Sequence, residues 1–245
     1  MIKNYRRLPL TNAYNVRDMG GYPCREGMTR YHRLYRADSP HMLSEDEWKL
    51  LFSCGVRSVI DLRSYGERQV QCYETAGTGI RVISLPMQKE DMDFKNMDRY
   101  LAESGFMHSM MEGYTNILSK NKERIAEILN CVCGCLPEGA VLFHCTAGKD
   151  RTGILAALVY LLCGVESADI VADYQVSVTY NQRNLQNKML GKGPADLLDS
   201  RAETMWELLG YIEEQQVIES LYKNGLNPEC GEILTHYFVE KEHAD

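Results

Sequence analysis

The sequence contains no apolar run long enough to span a bilayer, no low-complexity tract and no internal repeat. An apolar stretch near its centre, residues 154–163, is far shorter than the about 20 residues that a membrane-spanning helix needs. A chain of 245 residues without such features is typical of a globular protein with one hydrophobic core. We therefore expect no transmembrane segment and a single domain over residues 1–245, in which a helical C-terminal portion, about residues 165–245, covers a sheet.

Basic residues are fewer than acidic ones: the sequence has 27 lysines and arginines and 34 aspartates and glutamates, which gives a net charge of −7. This balance argues against nucleic acid as a partner. An anionic substrate would then have to be attracted by a local positive site, since the overall field of the protein repels it.

The cysteines show no pairing pattern, because there are nine of them, an odd number, scattered along the chain. Cys131, Cys133 and Cys135 alternate, whereas a zinc site usually has cysteines two residues apart and a second cluster. The first six residues carry no signal-peptide pattern. Together these features predict a reducing cytoplasm and no bound metal, while export without a signal peptide stays open.

One stretch concentrates the chemistry of the chain: His-Cys-Thr-Ala-Gly-Lys-Asp-Arg-Thr-Gly at residues 144–153. The short apolar run before it, residues 140–143, indicates a buried strand. The longer apolar run after it, residues 154–163, indicates a buried helix. We therefore expect Cys145 to leave a strand, a loop to follow, and a helix to begin near Arg151.

This layout predicts an anion site at the start of the helix. Loop amides without a ladder partner can point at one centre, and a helix N-terminus adds about half a positive charge. Gly148 permits backbone angles that a Cβ would forbid, and the planar fork of Arg151 can hold two phosphate oxygens at once. A thiol in such a field ionises readily. The sequence therefore predicts that the Cys145 thiolate attacks phosphorus and that water then hydrolyses the phosphocysteine.

Other residues of the loop are candidates for binding the substrate phosphate: Thr146, Ala147, Gly148, Lys149, Asp150 and Gly153. Two further interpretations are open. A buried, inert cysteine after a core strand would leave Gly148, Arg151 and Thr152 unexplained. A rhodanese-like sulfur transferase also uses a cysteine loop of this kind, but it rarely needs the Arg-Thr pair.

Four stretches carry a resemblance to a known family. They are the loop pattern Cys-x5-Arg-Thr with its flanking His and Gly, and the stretches at residues 15–22, 35–38 and 59–64. With them the sequence resembles bacterial and fungal tyrosine-protein phosphatases, whose loop is also similar to that of phosphoinositide phosphatases. The resemblance implies a protein tyrosine phosphatase-like α/β fold, a central mixed sheet flanked by helices, with no cofactor. Strands that alternate with helices favour the same α/β class.

The resemblance also implies roles for single residues. Cys145 matches the nucleophile of the family and Arg151 its phosphate-holding arginine. Thr152 matches the hydroxyl that supports the thiolate and helps the second step.

The loop bears on the class of substrate as well. Lys149 matches a loop lysine shared with phosphoinositide phosphatases. Thr146 and Asp150 depart from the lysine and the glycine that some of those lipid enzymes have there. This departure weakens an interpretation restricted to lipids.

The leaving group of a phosphate ester needs a proton, and a placed acid contributes about 10²–10⁴-fold. Classical members take it from a Trp-Pro-Asp loop, which this sequence lacks. Asp61 is the first candidate, because it ends a predicted strand at the sheet edge where open α/β sheets gather their sites, and because the resemblance points to it. A pairing of Asp61 with Arg63 or Arg68 is the alternative. The other candidate acids are Asp91, Asp93 and Asp150.

Three further residues are expected to be structural. Arg17 and Arg36 are predicted to pair with Asp18, Asp38 or another carboxylate. His144 is predicted to shape the loop, because it follows a strand and faces the core.

The sequence thus predicts a cytoplasmic, cysteine-dependent phosphomonoester hydrolase, foremost a protein-tyrosine phosphatase with broad or dual specificity. Its expected partners are a phosphorylated protein or a phosphoinositide as substrate and inorganic phosphate as product. The alternatives are a phosphoinositide phosphatase and a catalytically silent phosphate-binding module. The presence of both Cys145 and Arg151 argues against the silent module.

Overall fold

The structure of the protein, a computed structural model, describes residues 5–88, 106–186 and 199–241. Its strands are β1 (Arg17–Asp18), β2 (Pro23–Cys24), β3 (Gly27–Thr29), β4 (Leu34–Ala37), β5 (Val56–Asp61), β6 (Arg81–Ser84), β7 (Ala140–His144) and β8 (Val239–Lys241). Its helices are α1 (Glu45–Ser53), α2 (Tyr65–Val70), α3 (Phe106–Lys120), α4 (Lys122–Cys135), α5 (Asp150–Cys163), α6 (Ser167–Gln186), α7 (Ala202–Glu214), α8 (Val217–Lys223) and α9 (Cys230–Phe238).

Five strands form the main sheet in the order β1-β4-β7-β5-β6. Strands β4, β7, β5 and β6 run parallel, and the edge strand β1 is antiparallel to β4. A second sheet has the order β2-β3-β8, with antiparallel pairs throughout.

Alternating side chains of the central strand β7 divide the core into two layers. Val141 and Phe143 belong to the large apolar cluster that contains most of the helices, and Ala140 and Leu142 belong to a smaller cluster around α1. Such an alternation is required of a strand that is covered on both faces. The predicted fold class, a central mixed sheet flanked by helices, is therefore confirmed.

Helix α5 lies inside the larger layer. Residues 151–160 are all buried, as expected for a helix that is apolar on every side. The helix that begins the anion site is thus fixed along its length by the core.

Among the described residues, two helices begin with a capping box. The sequence predicts the first, in which Ser44 and Glu47 bind each other's backbone amides at the start of α1. Ser64 and Glu67 form a second capping box at the start of α2, directly after β5. Each box satisfies backbone donors that the first helical turn leaves without partners.

The structure differs from the sequence predictions at three places. The sequence predicts one helical region over roughly residues 107–133, but the structure has two helices there. Asn121 leaves helical geometry, and its side-chain amide donates to the Ile117 carbonyl over 3.1 Å, a local bond that competes with the helix. Helix α8 was not predicted, because it is too short to show a periodic pattern of apolar residues. Strand β8 depends on a distant partner, since Lys241 lies opposite Gly27 of β3.

Gly191, Gly193 and Pro194 predict a loop over residues 188–196, and this stretch lies outside the described residues. Among the helices that the structure describes, none is both long and apolar enough to cross a membrane.

Candidate active site

The carboxyl ends of three neighbouring parallel strands meet at one edge of the main sheet. Ala37 at the end of β4 and Asp61 at the end of β5 both lie opposite His144 at the end of β7. Residues 145–149 then connect β7 to α5, so the predicted order of strand, loop and helix is confirmed. Open α/β sheets bind their ligands at this edge.

Scaffold side chains hold the outer side of this loop. The carbonyl of Ala147 accepts hydrogen bonds from the side-chain amides of Asn15 and Asn181, each over 3.0 Å. The carbonyl of Gly148 accepts from Asn15 over 3.1 Å and from the Arg36 guanidinium over 2.9 Å. A carbonyl and the N–H that follows it point in opposite directions across a planar trans peptide. The amides that follow these two carbonyls therefore turn toward the inside of the loop, where an anion would lie.

Gly148 is required by the close approach of the loop to β4. Its φ is +67°, and a Cβ built at this position would lie 2.4 Å from the carbonyl oxygen of Ala37. No L-residue with a side chain can therefore replace Gly148 without displacing the loop.

Arg36 is itself held by a buried ion pair with Asp173 of α6. Asp173 accepts hydrogen bonds from Arg36 over 2.6 Å and from Arg17 over 3.0 Å. Burial raises the pKa of Asp173, but the two arginines outweigh burial and hold the pKa at about 2. Arg17 and Arg36 thus have a structural role through Asp173, whereas Asp18 and Asp38 accept hydrogen bonds from backbone amides.

The guanidinium of Arg151 is held by a carboxylate on α2. Its Nη1 and Nη2 atoms donate to Oε2 and Oε1 of Glu67 over 2.6 and 2.7 Å. The Thr146 hydroxyl also donates to Glu67. Burial raises the pKa of Glu67, but its bonds with Arg151 outweigh burial and lower the pKa to about 2. Glu67 is therefore an ionised carboxylate that orients the guanidinium of Arg151.

Sequence analysis did not identify Glu67 as part of the site. The available sign was its capping box, since Ser64 and Glu67 begin α2 immediately after the strand that ends at Asp61. A helix that begins at the carboxyl edge of the sheet brings its first turn to the place where ligands bind.

Cys145 begins the loop and is 2% exposed. Thr152 is fully buried, and among the described residues its hydroxyl has no hydrogen-bond partner. An unpaired buried hydroxyl costs about 1–3 kcal/mol, and such a group in a native protein calls for an explanation such as a catalytic role. The predicted role of Thr152 toward the thiolate would supply that explanation.

Lys149 does not face solvent. It is fully buried, its ammonium donates to the backbone carbonyl of Asp199 over 2.8 Å, and it lies 3.3 Å from Oδ1 of Asp150. The ammonium of Lys149 is thus bound within the scaffold, and its predicted contact with the substrate stays a prediction.

Asp150 is the first residue of α5, and its side chain keeps 33% of its exposure. Its Oδ1 accepts a hydrogen bond from the Tyr114 hydroxyl over 2.5 Å. Gly153 lies one turn further into the helix, where a Cβ would come within 3.2 Å of the Tyr174 ring. Asp150 is therefore at the rim of the loop, and Gly153 contacts the helix packing behind it.

Asp61 is deeply buried and paired with Arg63. Its Oδ2 accepts from Arg63 over 2.7 Å and its Oδ1 accepts from the same guanidinium over 3.0 Å. Burial raises the pKa of Asp61, but His144 and Arg63 outweigh burial and hold the pKa below its ordinary value. The geometry is that of the structural alternative, the pairing with Arg63.

His144 shapes the loop, as the sequence predicts. Its Nδ1 lies 3.0 Å from the carbonyl oxygen of Cys145 and its Nε2 lies 2.7 Å from the Tyr73 hydroxyl. A carbonyl only accepts, so Nδ1 carries the proton and Nε2 accepts from Tyr73. Burial lowers the pKa of His144 to about 4, which keeps the ring neutral near neutral pH.

Asp91 and Asp93, the remaining candidate acids, lie outside the described residues.

Comparison with known proteins agrees with the chemistry of this loop. A family model described as the tyrosine phosphatase family matches residues 8–228. The chain belongs to this family. A Cupriavidus necator protein named as a tyrosine-protein phosphatase is 31% identical to this phosphatase over 243 residues, which cover 92% of this chain and 86% of that protein.

Two more distant proteins are also similar to this phosphatase. The triple specificity protein phosphatase PtpB of Mycobacterium tuberculosis is 32% identical over 193 residues, which cover 69% of this chain and 67% of PtpB. The crystal structure of P. aeruginosa TpbA aligns with 80% of this chain and 87% of TpbA at 19% identity, with a TM-score of 0.43. The predicted family and the predicted enzyme class are thus confirmed by the family match and the curated relatives. The likeness of the loop to phosphoinositide phosphatases and the cytoplasmic location stay predictions.

Proposed function

We propose that this phosphatase hydrolyses phosphate monoesters, with protein phosphotyrosine as its main substrate, through a covalent intermediate on Cys145. The observation that carries the proposal is the support of the loop. Because Asn15, Arg36 and Asn181 bind its carbonyls on the outside, the amides that follow these carbonyls turn toward the inside. Preorganised donors of this kind stabilise the charge of a transferring phosphoryl group without reorganising during the reaction.

The reaction has two steps. In the first, the Cys145 sulfur bonds to phosphorus, the bond from phosphorus to the ester oxygen breaks, and the departing oxygen takes a proton from an acid. In the second, water attacks the phosphocysteine and gives a proton to the same carboxylate, so that inorganic phosphate leaves and the thiolate is restored. Arg151 holds phosphoryl oxygens in both steps. The Thr152 hydroxyl, which has no partner among the described residues, is available to stabilise the thiolate as it is restored. No cofactor takes part.

Asp150 is the acid in this mechanism. It lies beside Arg151 at the rim of the loop, and its carboxylate is one-third exposed, at 33%. Asp61, the first candidate from the sequence, is 2% exposed, and Arg63 binds both of its oxygens. With both oxygens bound by one buried guanidinium, Asp61 has no free oxygen that could present a proton to a leaving group. We therefore assign Asp61 a structural role.

Two observations bear on the class of substrate. PtpB is named a triple specificity phosphatase, which favours tolerance for esters beyond phosphotyrosine. Lys149, on which the phosphoinositide alternative depends, donates its ammonium to a backbone carbonyl inside the scaffold. This placement favours phosphorylated proteins over inositol lipids.

A panel of soluble substrates tests the proposal: a phosphotyrosine peptide, a phosphoserine peptide, a soluble inositol phosphate and a nitrophenyl phosphate. We expect turnover of the phosphotyrosine peptide to be the fastest of the three natural esters, and unchanged by a chelator. The Cys145→Ser variant should lose turnover and keep phosphate binding, because a serine hydroxyl is not ionised near neutral pH. Turnover by Cys145→Ser, or no turnover of any ester by the unaltered protein, would refute the proposal. Preference for the inositol phosphate would favour the lipid alternative.

A further inference from the structure

Tyr114 of helix α3 contacts the rim of the loop from outside it. Its side chain is 2% exposed, and its hydroxyl donates to Oδ1 of Asp150 over 2.5 Å. The same hydroxyl lies 2.8 Å from the hydroxyl of Tyr174 on α6. Tyr114 of α3 is thus bound both to Asp150, the first residue of α5, and to Tyr174 of α6.

The direction of these bonds follows from the number of protons. A tyrosine hydroxyl has one proton to donate, and its oxygen can accept. Because Tyr114 donates to the Asp150 carboxylate, the bond between the two tyrosines must run from Tyr174 to Tyr114. The result is a directed chain, Tyr174 to Tyr114 to Asp150, in which each bond polarises the next.

This chain decides which oxygen of Asp150 can carry a transferable proton. Oδ1 is occupied by the Tyr114 hydroxyl and lies 3.3 Å from the Lys149 ammonium. Among the described residues, Oδ2 has no such partner. When Asp150 is protonated, the proton therefore belongs on Oδ2, the oxygen that is free to meet a leaving group.

We infer that Tyr114 is a positioning residue for leaving-group protonation, which fixes the Asp150 carboxyl group so that Oδ2 presents its proton to the ester oxygen. This inference rests on the proposed role of Asp150. Tyr114 does not touch the reacting atoms itself. It acts through the orientation of a neighbour whose own backbone is held by α5.

The test compares Tyr114→Phe with the unaltered protein on phenyl phosphate and on an activated nitrophenyl phosphate. We expect the rate on phenyl phosphate to fall by about tenfold, since a hydrogen bond to a charged group exceeds a factor of ten in equilibrium terms. The rate on the activated ester should change little, because that leaving group departs without a proton. Tyr160→Phe is the matched control, since the Tyr160 hydroxyl donates to the Met19 carbonyl in the core. It should not change the ratio of the rates on the two esters.

Asp150→Asn, alone and combined with Tyr114→Phe, distinguishes the proposed role of Asp150 as the acid from the inferred role of Tyr114. If Asp150 is the acid, Asp150→Asn lowers the rate on phenyl phosphate by about 10²–10⁴-fold, and adding Tyr114→Phe lowers it no further. If Asp150→Asn lowers that rate and Tyr114→Phe does not, the inference about Tyr114 is overturned while the proposed acid stands. If Asp150→Asn is without effect, the acid lies elsewhere and both fall. An equal loss on both esters in Tyr114→Phe, with a lower melting temperature, would show a packing role and overturn the inference.

Discussion

Arg151 and Glu67 form a bidentate ion pair, in which the two terminal guanidinium nitrogens donate to the two carboxylate oxygens over 2.6 and 2.7 Å. Arginine has five N–H donors, and Nη2 also donates to the Thr146 hydroxyl over 3.4 Å. Among the described residues this leaves Nε and the second hydrogen of Nη1 for a phosphate. Glu67 thus orients the arginine and leaves part of its donor set unoccupied.

The Glu67→Gln variant should lower kcat/KM on aryl phosphates by about 10–10²-fold, because small misplacements of a catalytic group cost factors of this size. An amide nitrogen would face one arm of the guanidinium and break the two-pronged geometry. Glu127→Gln is the control, since Glu127 pairs with Arg124 on the protein surface over 2.6 Å. A faster Glu67→Gln variant would show instead that Glu67 competes with phosphate for Arg151.

The Arg151→Lys variant should lose about 10²–10³-fold in kcat, the usual cost of removing a donor to a developing charge. Lysine keeps the charge but lacks the planar fork that Glu67 and a phosphate can share. Steady-state kinetics on a nitrophenyl phosphate measures the loss. A rate within tenfold of normal would mean that the loop amides alone hold the transferring group.

Asp61→Asn should lower the free energy of unfolding by about 3 kcal/mol, because removing one partner of a buried pair leaves Arg63 without a counter-charge. The two kinds of ester should then be affected equally, since the change acts through the folded state. Urea unfolding and rates on phenyl and nitrophenyl phosphate provide the measurements. A selective loss on phenyl phosphate with normal stability would return Asp61 to the role of acid.

His144 should make stability fall as the pH drops from 6.5 toward 4. Burial lowers its pKa from 6.5 to about 4 in the folded protein, so between these values the unfolded chain binds a proton that the folded protein does not. The contribution is lost as the pH falls and reaches about 3 kcal/mol, at about 1.4 kcal/mol per pH unit. Unfolding by urea at pH 7 and pH 4.5 should show a smaller loss in His144→Asn. An equal loss in both proteins would assign the effect to other groups.

The loop could be predicted from the sequence because its chemistry is encoded in neighbouring residues. Cys145, Gly148 and Arg151 lie within one short stretch between two apolar runs, and residue types at fixed spacing specify both the geometry and the nucleophile. The fold class followed from the alternation of strands and helices for a similar reason, since each element has a local pattern.

The supports of the loop could not be predicted, because they come from distant positions. Glu67 is 84 residues from Arg151, and Tyr114 is 36 residues from Asp150. The capping box at the start of α2 is a local sign for Glu67, whereas nothing in the local pattern of α3 marks Tyr114 as part of the site. The same limit applies to Asp61: its place at the sheet edge was predictable, while its role depends on how the Arg63 side chain folds back onto it.

The outer supports of the loop come from three separate parts of the fold: Asn15 before β1, Arg36 in β4 and Asn181 in α6. A peptide that contained only residues 144–153 would therefore not reproduce the anion site, and neither would any fragment that omits one of the three supports. Phosphate affinity is in this sense a property of the assembled domain. In a two-state unfolding transition, phosphate binding should disappear over the same range of denaturant as the helical signal, so that binding reports the folded fraction of the whole protein.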